Sequence, residues 1–527
     1  MYYLKQIHIQ NFRNIEYQTI QFWKNKTVFV WKNGSWKTVI LKAIDKLLNA
    51  KKIKEKDFRR KEKKIILEAI VSYNEQDLKI KIESYFEDNE IINKTNFDGE
   101  LQKDFLEKTN VIYIPSDREI NKDDSKNGYI KLIDLIIRNK ELKNENIKDN
   151  EIIKNARKKL SSWRARKWAT KTTILISLLK LYLYSIQNLE TNSFTIFLID
   201  QPENFLHPHA TKMIDNILQS IWEQENTKVC YATHSPELVS NFKKWTYEID
   251  NIVFVKEIDG KCFTKRVDNR NWRFNKIMIS LIFKNASVFF SDAVILVEWE
   301  TEKISVPNIF ENSDLKKYCS LKCKHLTREE KVNYFNLNYK NISVVDVWWK
   351  WALSDWFVFA SELFWKENVV AMIDRDENFF ADKQMILKAI RQVYKVQKVY
   401  ENDFRKYNWI VLDWEFENYY KIDAIRNFLI EAIERKTLAS TIFSENKLEQ
   451  NIKNLDQNLK RLKHAKKIST VYESIFSSYF RRYSKPTIAF NLSTWLCENN
   501  WYDEELLKIF SFIIEKLDNN EKKLGNS

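Results

Sequence analysis

The chain opens on alternating apolar and polar positions, MYYLKQIHIQNF, a period of two that predicts a half-buried strand. A β-branched run, Val28 to Val30, then enters a loop, and VILKAIDKLLNA follows at helical spacing. Several later apolar runs predict strands that end on a polar or charged residue: TIFLID at Asp200, KVCYATH at His234, DAVILVE at Glu298 and VVAMIDRD at Asp374 and Asp376. WIVLDWEFENYY adds Asp413, Glu415 and Glu417. Residues 158–184 carry a long amphipathic helix, and residues from about 425 onward read as helices with charged faces. Strands alternating with helices predict an α/β protein with parallel sheets. The carboxyl ends of such strands gather at one edge, where ligands bind.

Length changes the picture first. At 527 residues the chain is too long for one hydrophobic core and should split into two to four domains. No apolar run is long enough to span a bilayer, and the first residues lack the apolar core of a signal peptide. The five cysteines, Cys230, Cys262, Cys319, Cys323 and Cys497, are scattered and odd in number, which fits free thiols in a reducing cytoplasm. Cys319 and Cys323 have the spacing to begin a zinc site, but no second pair follows. The net charge of +15 suits a polyanionic partner such as DNA, and equally suits a chain that is simply rich in lysine.

Glycine and tryptophan are inverted in number. There are 5 glycines, about 1% where roughly 7% is usual, against 18 tryptophans. Trp31, Trp36, Trp299, Trp348, Trp349 and Trp351 stand where backbone sterics ask for glycine. The reading that follows is that the gene's opal codon encodes glycine and stands here as tryptophan; a truly tryptophan-rich protein is the alternative.

With glycine at positions 31 and 36, VFVWKNGSWKT becomes a full phosphate-binding loop in strand–loop–helix context. Its backbone N–H groups, including those of Asn33, Gly34 and Ser35, would curl around a nucleotide's phosphates at the head of a helix. Lys37 would reach the β- and γ-phosphates and Thr38 would hold Mg²⁺, with Asp200 in the metal's shell and His234 as a γ-phosphate sensor. Ser161 and Ser162, before Trp163, read either as a nucleotide-contacting signature or as an ordinary helix cap. In the ATPases that these motifs resemble, a glutamate that polarises the attacking water often follows the aspartate; here Gln201 stands after Asp200, and an amide orients water but takes no proton, so hydrolysis should be slow unless Glu203 substitutes.

The second half carries a different chemistry. Asp374 and Asp376, two apart at a strand end, face one way, and Glu298 ends a neighbouring strand. Three carboxylates that close repel unless a divalent cation neutralises them. Oxygen-only ligation points to Mg²⁺ or Mn²⁺, which polarise a phosphodiester and activate water.

Together these motifs over about residues 1–425 resemble the OLD (overcoming lysogenization defect) family, in which an ABC- and SMC-like ATPase precedes a Toprim domain. QIHIQNFRNIEY with Asn11, Phe12 and Arg13 resembles the family's first hairpin, VIYIPSDREI its central segment, and VEWETEK, with glycine at 299, its Toprim glutamate motif. The resemblance implies an ABC-type ATPase over 1–285 with a helical insertion near 120–157, a Rossmann-like Toprim domain over 286–425, and a helical region over 426–527. It implies Glu298 as base or acid, Asp374 and Asp376 as metal ligands, Glu302 as a second-metal ligand and Glu417 as a further acidic contributor. The expected function is an ATP-binding, Mg²⁺- or Mn²⁺-dependent DNA endonuclease in defence or repair. It would be cytoplasmic, off the membrane, a homodimer or higher oligomer, with a helicase-like companion as a possible partner. The alternatives are an SMC-like DNA clamp with a vestigial carboxylate site, or an ATPase regulating a partner.

Overall fold

The computed structural model describes residues 3–116, 128–142, 168–187, 193–240, 252–266, 286–311, 334–434 and 485–525, with short internal breaks. The chain divides into two compact units, Met1–Phe290 and Ser291–Ser527.

The first unit contains two sheets. Strands β1 (Tyr3–Phe12), β2 (Ile15–Gln21), β4 (Lys64–Tyr73), β5 (Gln76–Glu87) and β6 (Glu90–Asn96) form an antiparallel sheet in the order β2-β1-β4-β5-β6. Its alternating strands bury one face, with Leu4, Ile7, Ile9 and Leu67 inside. The second sheet joins β3 (Lys26–Val30), β7 (Thr109–Ile114), β8 (Phe194–Asp200), β9 (Thr227–Thr233), β10 (Ile252–Ile258) and β11 (Lys261–Arg266) in the order β11-β10-β3-β9-β8-β7. The pairs from β10 to β7 are parallel, and β11 returns antiparallel on β10. Strands β3, β8 and β9 are buried at every position, as the unbroken apolar runs predict for a sheet covered on both faces.

Helix α1 (Trp36–Leu48) follows β3 and packs against strands of both sheets, so that Ile40, Ile44 and Leu47 share one core with Leu4 and Ile196. Helix α2 (Glu100–Lys108) leads into β7, and α3 (Gly128–Leu142) lies against α4 (Trp168–Ile186). Helix α5 (Pro208–Trp222) joins β8 to β9, and the short α6 (Pro236–Ser240) follows β9. A buried ion cluster ties the hairpin to α1. The Asp57 carboxylate takes Arg13 at 2.8 Å and Lys46 at 2.8 Å, and Arg13 lies at a left-handed φ of 55°. Burial pushes the Asp57 carboxyl up, but Lys46, the Lys54 N–H and Arg13 outweigh it and hold it below the usual carboxylate range.

The second unit is built on a parallel sheet of β12 (Ala293–Val297), β13 (Ile342–Asp346), β14 (Val369–Asp374) and β15 (Trp409–Leu412), ordered β13-β12-β14-β15. Helices α7 (Glu300–Glu311), α8 (Leu353–Phe364) and α9 (Phe379–Tyr394) follow the first three strands. The later helices α10 (Ile422–Glu434), α11 (Lys485–Asn499) and α12 (Glu504–Gly525) do not form a core of their own. Phe428, Leu492, Leu496 and Phe510 pack in the same cluster as Ile295, Met372 and Phe310. Asn308 of α7 donates to Ser493 at 2.7 Å, and Phe310 meets Phe510 with ring centroids 4.9 Å apart.

One tryptophan conflicts with its backbone. Trp365, just past α8, lies at φ 71° and ψ 139° with 43% of its surface exposed. A large side chain at positive φ is strained, whereas glycine, lacking a Cβ, meets less steric conflict there. Trp222, Trp356 and Trp409, by contrast, are buried in packed cores.

Candidate functional site

In the first unit the polar residues gather where β3, β8 and β9 end. Thr38, in the first turn of α1, donates its hydroxyl to Asp200 Oδ2 at 2.5 Å, and Asp200 is fully buried at the end of β8. A hydroxyl and a carboxylate in contact at a helix head are the oxygen donors that Mg²⁺ takes, so these residues fit that ion. Gln201 turns the chain sharply, at φ 50°, and its N–H donates to the Ala232 carbonyl at 2.9 Å. Half-buried His234 stands just past β9. Glu203 accepts the Thr233 hydroxyl at 2.8 Å and the His234 N–H at 2.7 Å, so its carboxylate holds the start of the His234 loop. Asn204 accepts from Thr172 of α4 at 3.0 Å and donates to the Ser116 carbonyl at 3.1 Å. The Pro202–Asn204 turn thereby links four elements, a role the sequence motif did not reveal. Asn33, Gly34, Ser35, Ser161 and Ser162 lie outside the described residues, as does the side chain of Lys37.

Four of the predicted carboxylates in the second unit meet at one sheet edge. Glu298 is one residue past β12 and Asp374 ends β14; pairing of Leu296 with Ala371 sets them at nearly the same level. Glu302, in the first turn of α7, accepts the Trp299 N–H at 3.1 Å. Glu417 sits in the turn Phe416–Tyr419 after β15, which stops at Leu412 rather than running on. Glu298, Glu302, Asp374 and Glu417 are all buried. Burial, the Asp374 and Glu417 charges, and more weakly Glu298, push Glu302 well above the usual carboxylate range. Burial, Glu417 and Glu298 do the same to Asp374, against the N–H of Phe416 and the Lys350 ammonium. Asp376, Glu415, Trp348 and Trp349 lie outside the described residues, as do Cys319 and Cys323.

Two cations line this edge that sequence reasoning did not single out. Lys350 Nζ donates to the Asp374 carbonyl at 2.7 Å, and Lys303 pairs with Asp346, the end of β13, at 2.8 Å. A lysine within the strand-to-helix turn was the available signal for the first. The donor set, all oxygen and mutually repelling, fits a hard divalent cation. Among the described residues, no three acidic, histidine or cysteine side chains close on a single coordination point.

Residues 2–172 and 169–239 match the family model described as AAA ATPase domain. Both matched segments lie within the first unit. The matched segments span less than half of the chain. No curated protein matches the chain by sequence. Among solved structures, the SMC head domain from Thermotoga maritima aligns at 14% identity and a TM-score of 0.32, over 50% of this chain and 99% of that one. The recombination mediator protein RecF with ATP aligns at 16% identity and a TM-score of 0.31, over 51% and 98%. The C-terminal region of the Xanthomonas campestris pv. campestris OLD protein aligns at 14% identity and a TM-score of 0.28, over 44% and 95%. Likeness at this level assigns no activity. No helix among the described residues is long and apolar enough to cross a membrane.

Proposed function

We propose that this chain is an ATP-binding, divalent-metal-dependent DNA endonuclease of the OLD type, acting in defence against foreign DNA or in repair. The observation that carries the reading is the meeting of four buried carboxylates at one sheet edge, with Asp374 and Glu302 raised first by burial and then by the neighbouring carboxylates. Such an arrangement is costly without a cation and gains most from one. A bound Mg²⁺ or Mn²⁺ supplies Lewis acidity toward a phosphodiester and an activated water. Asp374, Glu302 and Glu417 would hold it together with Asp376, and Glu298 would take or return the proton. In the first unit Thr38 and Asp200 would hold the nucleotide's Mg²⁺, Lys37 its phosphates, and His234 would sense the γ-phosphate.

The same reading divides the chain into an ATPase domain (1–285), a Toprim domain (286–425) and a helical region (426–527), and makes it a homodimer or higher oligomer. It also takes glycine as the native residue at the motif tryptophans, and adds Trp365 to them on the strength of its φ of 71°. A second reading is a DNA clamp whose carboxylate site is vestigial, since among the described residues no three acidic side chains close on one coordination point. A nicking assay on supercoiled plasmid separates the two. With glycine at the motif positions and Mg²⁺ or Mn²⁺ present, the protein should nick and Asp374→Ala should not. ATP turnover without nicking supports the clamp, and nicking that survives Asp374→Ala contradicts the site.

A further inference from the structure

Lys350 opens the turn Lys350–Ala352 that leads into α8, and only 13% of its side chain is exposed. A buried ammonium needs partners. Its Nζ donates to the Asp374 carbonyl at 2.7 Å and pairs at 3.0 Å with Asp382 Oδ2, itself 7% exposed in the first turn of α9. One ammonium therefore ties together the turn after β13, the end of β14 and the head of α9. The next peptide is held from the other side, where the Arg375 N–H donates to the Leu412 carbonyl at 3.2 Å.

Two effects on a cation at the carboxylate edge oppose each other. The positive charge of Lys350 repels a metal ion, while its bonds fix the residue whose carboxylate would bind one. Asp382 decides between them. Its carboxylate neutralises the ammonium at contact distance, so the pair presents little net charge and its geometric effect remains.

We propose that Lys350, paired with Asp382, is a positioning residue that sets the Asp374 end of β14 for a divalent cation. The inference rests on the metal-site reading of that edge. Groups that orient a metal ligand from outside typically change affinity by about ten- to a hundredfold. A charge acting as a bystander would change it in the opposite direction on removal.

The test is calorimetric titration of Mn²⁺ into the nucleotide-free full chain, taking Asp374-dependent binding as the signal. Lys350→Met should weaken it by about tenfold or more. Lys350→Met/Asp382→Leu, which leaves no uncompensated buried charge, should weaken it similarly while unfolding at the wild-type temperature. Lys350→Arg should stay near wild type. Binding in the folded double variant as tight as wild type, or tighter, would overturn the inference alone. No Asp374-dependent binding by the wild type would remove the metal-site reading and this inference with it.

Discussion

The Thr38–Asp200 contact of the first unit and the carboxylate edge of the second occupy the same kind of place, beyond the carboxyl ends of parallel strands. They depend on different parts of the chain. A phosphate loop works through backbone N–H groups that only a glycine-rich turn can present. The carboxylate edge works through side chains whose positions follow from strand register. On the proposed glycine reading, tryptophan at positions 31 and 36 would damage the first directly, while Glu298, Glu302, Asp374 and Glu417 gather in the second whichever residue stands at the motif positions. The contrast also separates their energetics. Thr38 donates to one Asp200 oxygen at 2.5 Å, whereas the second edge concentrates like charge.

The sharpest way to break this comparison is to remove one carboxylate. Asp374→Ala should lower metal-dependent nicking by about a thousandfold, since a lost metal ligand forfeits several kcal/mol of transition-state stabilisation. A loss below tenfold in a plasmid assay would place the chemistry elsewhere. The corresponding change in the first unit is restorative. Trp31→Gly/Trp36→Gly should tighten ATP binding by on the order of a hundredfold, the equivalent of one or two charge-assisted hydrogen bonds regained. Equal affinity before and after, measured by fluorescent nucleotide titration, would show that the loop does not need glycine.

Two smaller effects concern stability. Asp374 and Glu302 are raised in the folded state, so the native protein holds protons that the unfolded chain releases above about pH 4. Their contribution to stability is thus present at low pH and is lost as pH rises toward the folded values. Without metal, the second unit should melt at falling temperature from pH 5 to 8, and Asp374→Asn should flatten that slope. A steeper slope in Asp374→Asn would contradict the repulsion. The smallest effect is at Trp365, whose φ of 71° stores about 1–3 kcal/mol of strain. Trp365→Gly should stabilise the second unit by about 1 kcal/mol after the glycine's extra unfolded-state entropy is subtracted. A lower melting temperature would show that the ring's packing outweighs the strain.

Much of this was legible in the sequence, for a physical reason. Unbroken apolar runs closed by an acid announce buried parallel strands and their polar ends, and β8, β12 and β14 lie where those runs fall. What stayed hidden depends on tertiary contact. Nothing in the spacing of Lys350 and Asp382 shows that they meet, and nothing in Glu203 shows that it would grip Thr233 and the His234 N–H. Trp365 escaped because a helix end demands glycine through its backbone angle, and no motif marks the place. The helices after residue 425 read as separate from the sheet because their charged faces dominate the sequence. Leu492, Leu496 and Phe510 nevertheless enter the sheet's own core.

The central claim is that the acidic edge of the second unit is a cation site. Crystals soaked in Mn²⁺ and measured at the manganese absorption edge test it most directly. The account predicts an anomalous peak within bonding distance of the Asp374 carboxylate, shared with Glu302 or Glu298. A map in which those carboxylates instead hydrogen-bond to one another, with no peak among them at millimolar Mn²⁺, would contradict it.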